Sequence, residues 1–409
     1  MGVDVNDVRH LNQAHIREGD RLIYIADFNI KHEGEKLKST NRVDAEIKDL
    51  QQIIRNAGVP VILAHSGRYA DRDTEELDFV VPYLASTLDA DVKYFSENTG
   101  PAAQDFVSCL APGTVAIMGN TRKHEGEEKN DDYLASLFSA LAGPDSRVAV
   151  GGFGKAHRVH ASNSGILKYL RGYATDSQLD EMVALNPWAG ANPDLYSVAV
   201  LGGVKKEKIT TGLDGFVKTY DLVIPGGIVL NTILLVKGYA IGDSKIDDGG
   251  KTFDAAVKDV LSGSYSNKII VPDEVVIAKK NGDSYVDIDT IKIARGVPDG
   301  HMIVDYVMPD EATEMLDKVV SENGRLILAG TPGIYKDRRG ETLFKGATEP
   351  VLERMRRIKE NCIVLGGDTA GETGYDGPVS TGGGSALYFV VHGTTPVFEA
   401  LKENRVTFG

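Results

Sequence analysis

Cysteine is scarce in this chain, Cys109 and Cys362 being the two it has in 409 residues. So few thiols exclude a disulfide framework. Both lie among apolar neighbours, in FVSCLAPG and ENCIVLGG, where buried, inert thiols are expected. No apolar run approaches the ~20 residues that a membrane-crossing helix needs. The N-terminus, MGVDVNDVRHLNQAHIREGDR, lacks the apolar segment of a secretory signal. Asn6 stands where a myristoylation pattern wants Ser or Thr. A cytoplasmic location is the expectation, without a membrane partner. Basic charge is short as well. The 45 Lys and Arg against 59 Asp and Glu leave a net charge of −14, which argues against nucleic acid as a partner. Neither a low-complexity segment nor a short-period repeat is present.

What is present is an ordinary globular balance, with 42% hydrophobic and 25% charged residues, enough to bury a large core without staples. The length exceeds the ~250–300 residues beyond which one core usually divides. Short apolar runs alternate with helical patterns. Strands are expected at 21–28, 59–65, VKYF, TVAIMGN and 147–154, and helices at 41–57, 75–88 and 130–142. Residues 171–197 interrupt this rhythm with a helix and then NPWAGANPDLY, whose Pro187, Gly190 and Pro193 suit a domain boundary. The pattern restarts with strands at 196–203, 220–227, 267–278, 324–330 and 361–368. This is the βαβ rhythm of α/β architecture. It predicts two doubly wound parallel-sheet, Rossmann-like domains, 1–185 and 186–395, binding ligands at the carboxyl ends of their strands.

In the first half those ends carry cations and donors. ADFN supplies Asp27 and Asn29, TNR supplies Arg42, and AHSGR supplies His65 and Arg68. NTR adds Arg122, and GGFGKAHRVH adds Lys155, His157, Arg158 and His160. The last stretch, 151–160, is not a Walker A loop, since Ala149 replaces its first Gly and Ala156 its Ser or Thr. A dinucleotide fingerprint fails at His157. A metal between His157 and His160 would face Arg158, with no Cys or carboxylate adjacent in sequence. An anion cradle survives, because planar guanidinium forks suit phosphate and carboxylate.

In the second half the strand ends carry glycine. LGGVKKEK offers Gly202, Gly203, Lys205, Lys206 and Lys208. AGTPG contains Gly333. GGDT sets Gly367, Asp368 and Thr369 at a strand end, and STGGG brings Gly382, Gly383 and Gly384. Glycine turns that open helices can hold phosphate through free amides. An Asp beside them suits Mg²⁺, which takes one or two carboxylates plus phosphate oxygens. The set describes a nucleotide polyphosphate site.

DFN, TNR, HSGR, NTR, GKAHRVHAS, LGGVK, GGDT and STGGG occur in this order across almost the whole length, and so arranged the chain resembles the phosphoglycerate kinase family. The resemblance implies two domains facing across a hinged cleft, with residues 396–409 returning to the N-terminal one. It implies 3-phosphoglycerate on the N-terminal domain, MgATP or MgADP on the C-terminal one, and a monomer or weak homo-oligomer. Asp27, Asn29, His65, Arg68, Arg122, His157 and Arg158 would line the acid pocket. Arg42 would orient the carboxylate and stabilise the transferring phosphoryl group. Lys205 and Lys208 would act at the phosphates, although KKEKI is one residue shorter than the family's spacing. Asp368 would hold Mg²⁺, and Gly382, Gly383 and Gly384 would present amides to the moving group. Gly202, Gly203, Gly333, Gly367 and Thr369 would complete the nucleotide site.

The departures matter most on the nucleotide side, with two more, GGF and Lys155, in the stretch 151–155 of the first half. AGTPGIYK places Lys336 where the family has a ribose-holding glutamate, and an ammonium accepts no hydroxyl bond. Leu365 replaces the first of three glycines before Asp368, GHM replaces GWM, and GGF replaces NDAF. Lys155 replaces a small polar residue. These point to a paralogous carboxylate kinase for another phosphate- or phosphonate-bearing acid as the alternative, or to a catalytically silent binding protein of the same fold. A dehydrogenase-type or nucleotide-sugar Rossmann protein lacks its fingerprint here.

Overall fold

The computed structural model describes residues 2–337 and 339–409. Contacts divide the chain into two compact units, Val3–Ala184 with Thr394–Gly409, and Leu185–Gly393 with Gly2. Each is a doubly wound α/β unit.

The first unit carries β1 (Arg21–Ile25), β2 (Val59–Leu63), β3 (Val92–Phe95), β4 (Val115–Met118), β5 (Arg147–Val150) and β6 (Arg171–Ala174). Their order is β3-β4-β2-β1-β5-β6, every pairing parallel. VPVIL in β2 and VAIM in β4 are buried at every position, as strands covered by helices on both faces must be. The helices are α1 (Asn41–Arg55), α2 (Val81–Leu88), α3 (Gly100–Ser108), α4 (Asp132–Ser139) and α5 (Asp176–Leu185). Val43, Leu50 and Ile53 of α1 are buried on one stripe. Strand β6 was not visible in the sequence, where 171–185 reads as helix alone. Its four residues include Gly172, where a Cβ would strike the Leu167 side chain. A short strand with a glycine inside leaves little pattern.

The second unit carries β7 (Ser197–Leu201), α6 (Asp214–Thr219), β8 (Leu222–Pro225), α7 (Gly227–Val236) and α8 (Asp254–Ser262). A three-stranded antiparallel sheet follows, made of β9 (Glu274–Asn281), β10 (Ser284–Lys292) and β11 (Met302–Tyr306) in the order β10-β9-β11. Residues 267–278, expected as a strand of the parallel sheet, correspond to a 3₁₀ turn and then the start of β9. The chain continues through α9 (Asp310–Ser321), β12 (Arg325–Ala329), α10 (Thr348–Arg357), β13 (Cys362–Leu365), α11 (Gly367–Thr373), β14 (Val379–Ser380) and α12 (Gly384–His392). The parallel sheet runs β8-β7-β12-β13-β14. One core joins the two sheets of this unit, from Val198 and Leu326 to Ile277 and Ile303.

The last helix, α13 (Pro396–Phe408), packs on β6. Asn404 anchors it, donating to the carbonyls of Leu167 at 2.6 Å and Leu170 at 2.8 Å and accepting from Gly172 N at 2.8 Å. Cys362 is buried but Cys109 is exposed. It follows the end of α3, where its apolar neighbours turn inward and the thiol does not. Among the described residues no helix is long and apolar enough to cross a membrane.

Candidate functional site

In the first unit β1 pairs with β2 on one side and β5 on the other, so the winding reverses between β1 and β5. The loops leaving these strands therefore run side by side. Gly151 N donates to Ile25 O at 2.9 Å. Gly152 has φ 68°, and a Cβ on it would press against the backbone of Asp27.

A buried carboxylate pins this turn. Glu46 of α1 accepts from Gly152 N at 2.9 Å and from the Tyr24 hydroxyl at 2.6 Å. Sequence reasoning passed over Glu46, although an acid on the apolar stripe of α1 was a readable signal. Burial outweighs its hydrogen bonds and pushes its carboxyl from 4.5 up to about 7. Across that interval the folded chain keeps a proton that the unfolded chain releases, so stability from this group falls as pH rises from about 4.5 to 7. Glutamine copies the protonated form. The stability of Glu46→Gln relative to the unmodified chain should rise over that window by at most about 3 kcal/mol, read by urea unfolding. A difference that stays flat or falls between about pH 5 and pH 8 would contradict this account.

Around the turn the expected side chains converge. Asp27, 4% exposed, accepts from Arg42 Nη1 at 2.9 Å and from Asn29 N at 3.2 Å. Asn29 Oδ1 in turn accepts from Gly67 N at 3.3 Å, and Arg122 Nη1 donates to Gly67 O at 2.6 Å. Arg158 Nε donates to His157 Nε2 at 3.1 Å. Arg68 stands half-exposed, 3.8 Å from Asp71.

The electrostatics confirm the proximity. Burial, reinforced by Lys155, Arg122, His160 and Arg158, holds the His65 imidazole well below its ordinary range. His157 falls to about 4 through burial and Arg158. His160 falls to about 3 through burial, Arg122 and Lys155. Arg122 is lowered by burial, with Arg158 and Arg68 adding repulsion. The histidines are therefore neutral at physiological pH, and the cradle's charge comes chiefly from Arg42, Arg68, Arg122 and Arg158. Lys155 is 3% exposed with its Nζ unpartnered. Burial lowers its pKa, while Glu127 and Asp27 pull it up. His160 lies 3.8 Å from Glu127, yet no group of three metal-ligating side chains occurs among the described residues.

In the second unit the winding reverses between β7 and β12. Three glycine loops meet there, backbone on backbone. A Cβ on Gly202 would run into Thr331 O, and one on Gly227 into Gly203 O. Gly202 N donates to Ala329 O at 3.1 Å and Gly203 N to Thr331 O at 3.1 Å. These two amides are spent on loop packing, so Gly202 and Gly203 act by permitting close approach rather than as free donors.

Lys205 and Asp368, distant in sequence, come within 3.6 Å, both well exposed. Lys208 begins a π-helical segment, Lys208–Leu213, and burial with Lys205 nearby pushes its amine down to about 8. Asp368 and Thr369 lie in the first turn of α11, opened by Gly367. Gly366, just before it, is tied through its N to Ser380 O at 2.9 Å. Gly382 N donates to Ser380 Oγ at 3.2 Å. Gly383 and Gly384 enter α12, whose first amides have no acceptor within the helix.

Gly333 lines a cavity of about 180 Å³ with Val204, Leu230, Ile334 and Glu372. Lys336 N donates to Glu372 Oε1 at 3.3 Å. Glu341 is taken up by the turn, its N donating to Asp337 Oδ1 at 2.8 Å, and does not line the cavity. The carboxylates in this cavity wall are Asp305 and Glu372, and nothing in the sequence singled out either.

One unit gathers cations at its strand ends and the other gathers glycine loops, a lysine and an exposed aspartate, the equipment of a two-unit α/β phosphotransferase. The family model described as phosphoglycerate kinase matches residues 12–392, and the chain belongs to that family. The phosphoglycerate kinase of Moorella thermoacetica is 29% identical over 393 residues, covering 94% of this chain and 96% of its own. That of Methylorubrum populi is 28% identical over 411 residues, covering 97% and 99%. Among solved structures, phosphoglycerate kinase from Pyrococcus horikoshii shares the fold with a TM-score of 0.74 at 21% identity, over 98% of this chain and all of that one. The enzyme from Coxiella burnetii gives 0.69 at 23%, over 95% and 98%.

Proposed function

We propose that this chain transfers a phosphoryl group between ATP or ADP and the carboxylate of 3-phosphoglycerate, with 1,3-bisphosphoglycerate as the acyl phosphate. The convergence of Arg68, Arg122 and Arg158 on one loop cluster carries this reading, because three guanidiniums with neutral histidines between them suit a phosphate dianion. The remote phosphate then serves as a handle, and binding energy there aligns the carboxylate. Arg42, anchored on Asp27 and exposed beyond it, would face that carboxylate and the charge of the transferring group. Lys205, Lys208 and the amides of Gly382, Gly383 and Gly384 would hold the nucleotide's phosphates on the second unit. Of these, Gly383 and Gly384 have the freer amides, since Gly382 N is bonded to Ser380. Phosphoryl transfer asks a protein chiefly for positioning and positive charge.

Asp368 is an exposed carboxylate that belongs to no group of three metal-ligating side chains among the described residues, a donor set that fits Mg²⁺ carried in by a polyphosphate rather than a standing metal site. When bound, Mg²⁺ would neutralise phosphate charge there, with Asp368 as its protein ligand and Lys205 beside it. The nucleotide site would include Gly202, Gly203, Gly333, Gly367 and Thr369. A location in the cytoplasm and a monomer or weak homo-oligomer accord with this reading.

A second reading is favoured by Lys155. Its buried amine has no hydrogen-bond partner, an arrangement that costs free energy, and a more anionic acid than 3-phosphoglycerate would supply an acceptor and negative charge beyond that of Glu127 and Asp27. One experiment tests both readings. The chain is incubated with 3-phosphoglycerate or other phosphate- and phosphonate-bearing acids and several nucleoside triphosphates, and acyl phosphate is trapped with hydroxylamine. Acyl phosphate from 3-phosphoglycerate supports the first reading, and product from another acid alone supports the second. None with any pair would leave a silent binding protein.

A further inference from the structure

The cavity in the second unit has apolar walls and a set of acceptors that nothing in the protein fully satisfies. Val204, Leu230, Ile303 and Ile334 form the walls. Of the polar groups, Asp305 is engaged, accepting from Gly346 N at 2.7 Å and Ala347 N at 3.2 Å. Asn231 is 5% exposed and gives its Nδ2 to Lys245 O at 2.9 Å, while its Oδ1 has no partner. Glu372 accepts long bonds of 3.3 Å from the Thr331 hydroxyl and of 3.3 Å from Lys336 N, with the Tyr335 backbone N–H as a third donor. A carboxylate has about four lone-pair directions, so capacity remains. Burial raises its pKa, and the donors from Lys336, Thr331 and Tyr335 offset that only in part.

An apolar slot edged by free acceptors calls for a compact, donor-bearing ligand without negative charge at that end. Position along α11 says which end of a larger ligand this is. Asp368 and Glu372 are four residues apart, hence on one face of the helix and about one turn, ~5–6 Å, apart. Asp368 faces Lys205 at the end proposed for phosphate, and Glu372 lies one turn further in. A nucleoside phosphate has this polarity.

We propose that Glu372 is the specificity-determining acceptor of this site, reading a pair of adjacent hydrogen-bond donors on the nucleoside. The inference rests on the nucleotide reading proposed above. A carboxylate takes two parallel donors as a fork. Two parts of a nucleoside offer them, the 2′,3′-diol of ribose and the N1–H and 2-amino edge of guanine. The Watson–Crick edge of adenine sets a donor beside an acceptor and would not satisfy it.

The test is calorimetry on the full chain with ADP, 2′-deoxy-ADP, GDP and IDP, before and after Glu372→Gln. The unmodified chain should prefer the ligand with the donor pair by about tenfold or more. Preference for ADP over its 2′-deoxy form assigns the sugar, and preference for GDP over ADP and IDP assigns the base. In Glu372→Gln that preference should shrink severalfold, with affinity for the poorer ligand nearly unchanged. Thr331→Val removes a neighbour of the carboxylate without removing the carboxylate, and should keep the preference. The proposal is overturned if the unmodified chain discriminates neither pair. It is also overturned if Glu372→Gln keeps the preference or weakens all four ligands equally, which would make Glu372 a brace for the 331–336 loop. Failure of every nucleotide to bind the unmodified chain would instead sink the nucleotide reading itself, and this inference with it.

Discussion

Arg42→Ala should lower kcat by on the order of 10³ while raising KM for the acid far less, the signature of an interaction made chiefly in the transition state. Arg42 is the second residue of α1, with its guanidinium about half exposed and one arm held by Asp27 at 2.9 Å. Asp27 is itself fixed by the Asn29 amide. The pair orients the guanidinium without burying it, and its remaining donors stay available for charge that develops during transfer. Arg68, Arg122 and Arg158 have a different address, around Gly67 and His157. Arg42→Lys keeps the charge but loses the planar fork, so it should recover only part of the rate. An Arg42→Ala enzyme with normal kcat and raised KM would make Arg42 a binding residue. That result would remove the transition-state clamp from the proposal.

Arg122→Met should weaken binding of 3-phosphoglycerate by about 1.5–3 kcal/mol, roughly 10- to 100-fold in Kd, the range for a charge-assisted hydrogen bond. Arg122 is 2% exposed, and it donates to Gly67 O while Glu128 stands 3.6 Å away. It also bears the repulsion of Arg158 and Arg68. Cations held together at that cost are expected to be relieved by an anion. Methionine preserves much of the buried stem, so a loss of affinity would not have to reflect a collapsed loop. Urea unfolding checks that point. Arg68→Ala and Arg158→Ala should shift affinity in the same direction. Unchanged affinity in all three, measured by calorimetry, would end the anion-cradle reading of residues 151–160.

The individual residues divide according to what made them visible. Asp27, Arg42, His65, Arg68, Arg122 and Arg158 each follow a strand or begin a helix, and an apolar run ending in a charge is a local signal. Glu46 and Glu372 were not legible in this way. One is an acid on a helix face that also buries Asp49 among Val43, Leu50 and Ile53, and the other lies inside a short polar helix. The role of each depends on partners elsewhere in the chain, Gly152 and Tyr24 for the first, Thr331 and Lys336 for the second. Gly202 and Gly203 show the opposite case. They were conspicuous in sequence, but their amides are occupied by β12 and the loop after it.

The order of apolar runs, glycine turns and strand-end charges was enough to determine the α/β class and the two doubly wound units. Those patterns reflect short-range physics, since a strand covered on both faces must be apolar throughout its length. Strand β6 and the antiparallel sheet from β9 to β11 escaped it. A four-residue strand with a glycine leaves no period to read, and a pairing direction is not a property of one strand. Tertiary structure alone decided which charges meet. Lys205 and Asp368 lie 163 positions apart in sequence and 3.6 Å apart in space, and the cavity beside Glu372 draws its walls from several separate segments. The field at a site is the sum over groups that only folding brings within range. For that reason the histidines of the cradle, written as possible cations in the sequence, are neutral in the folded protein.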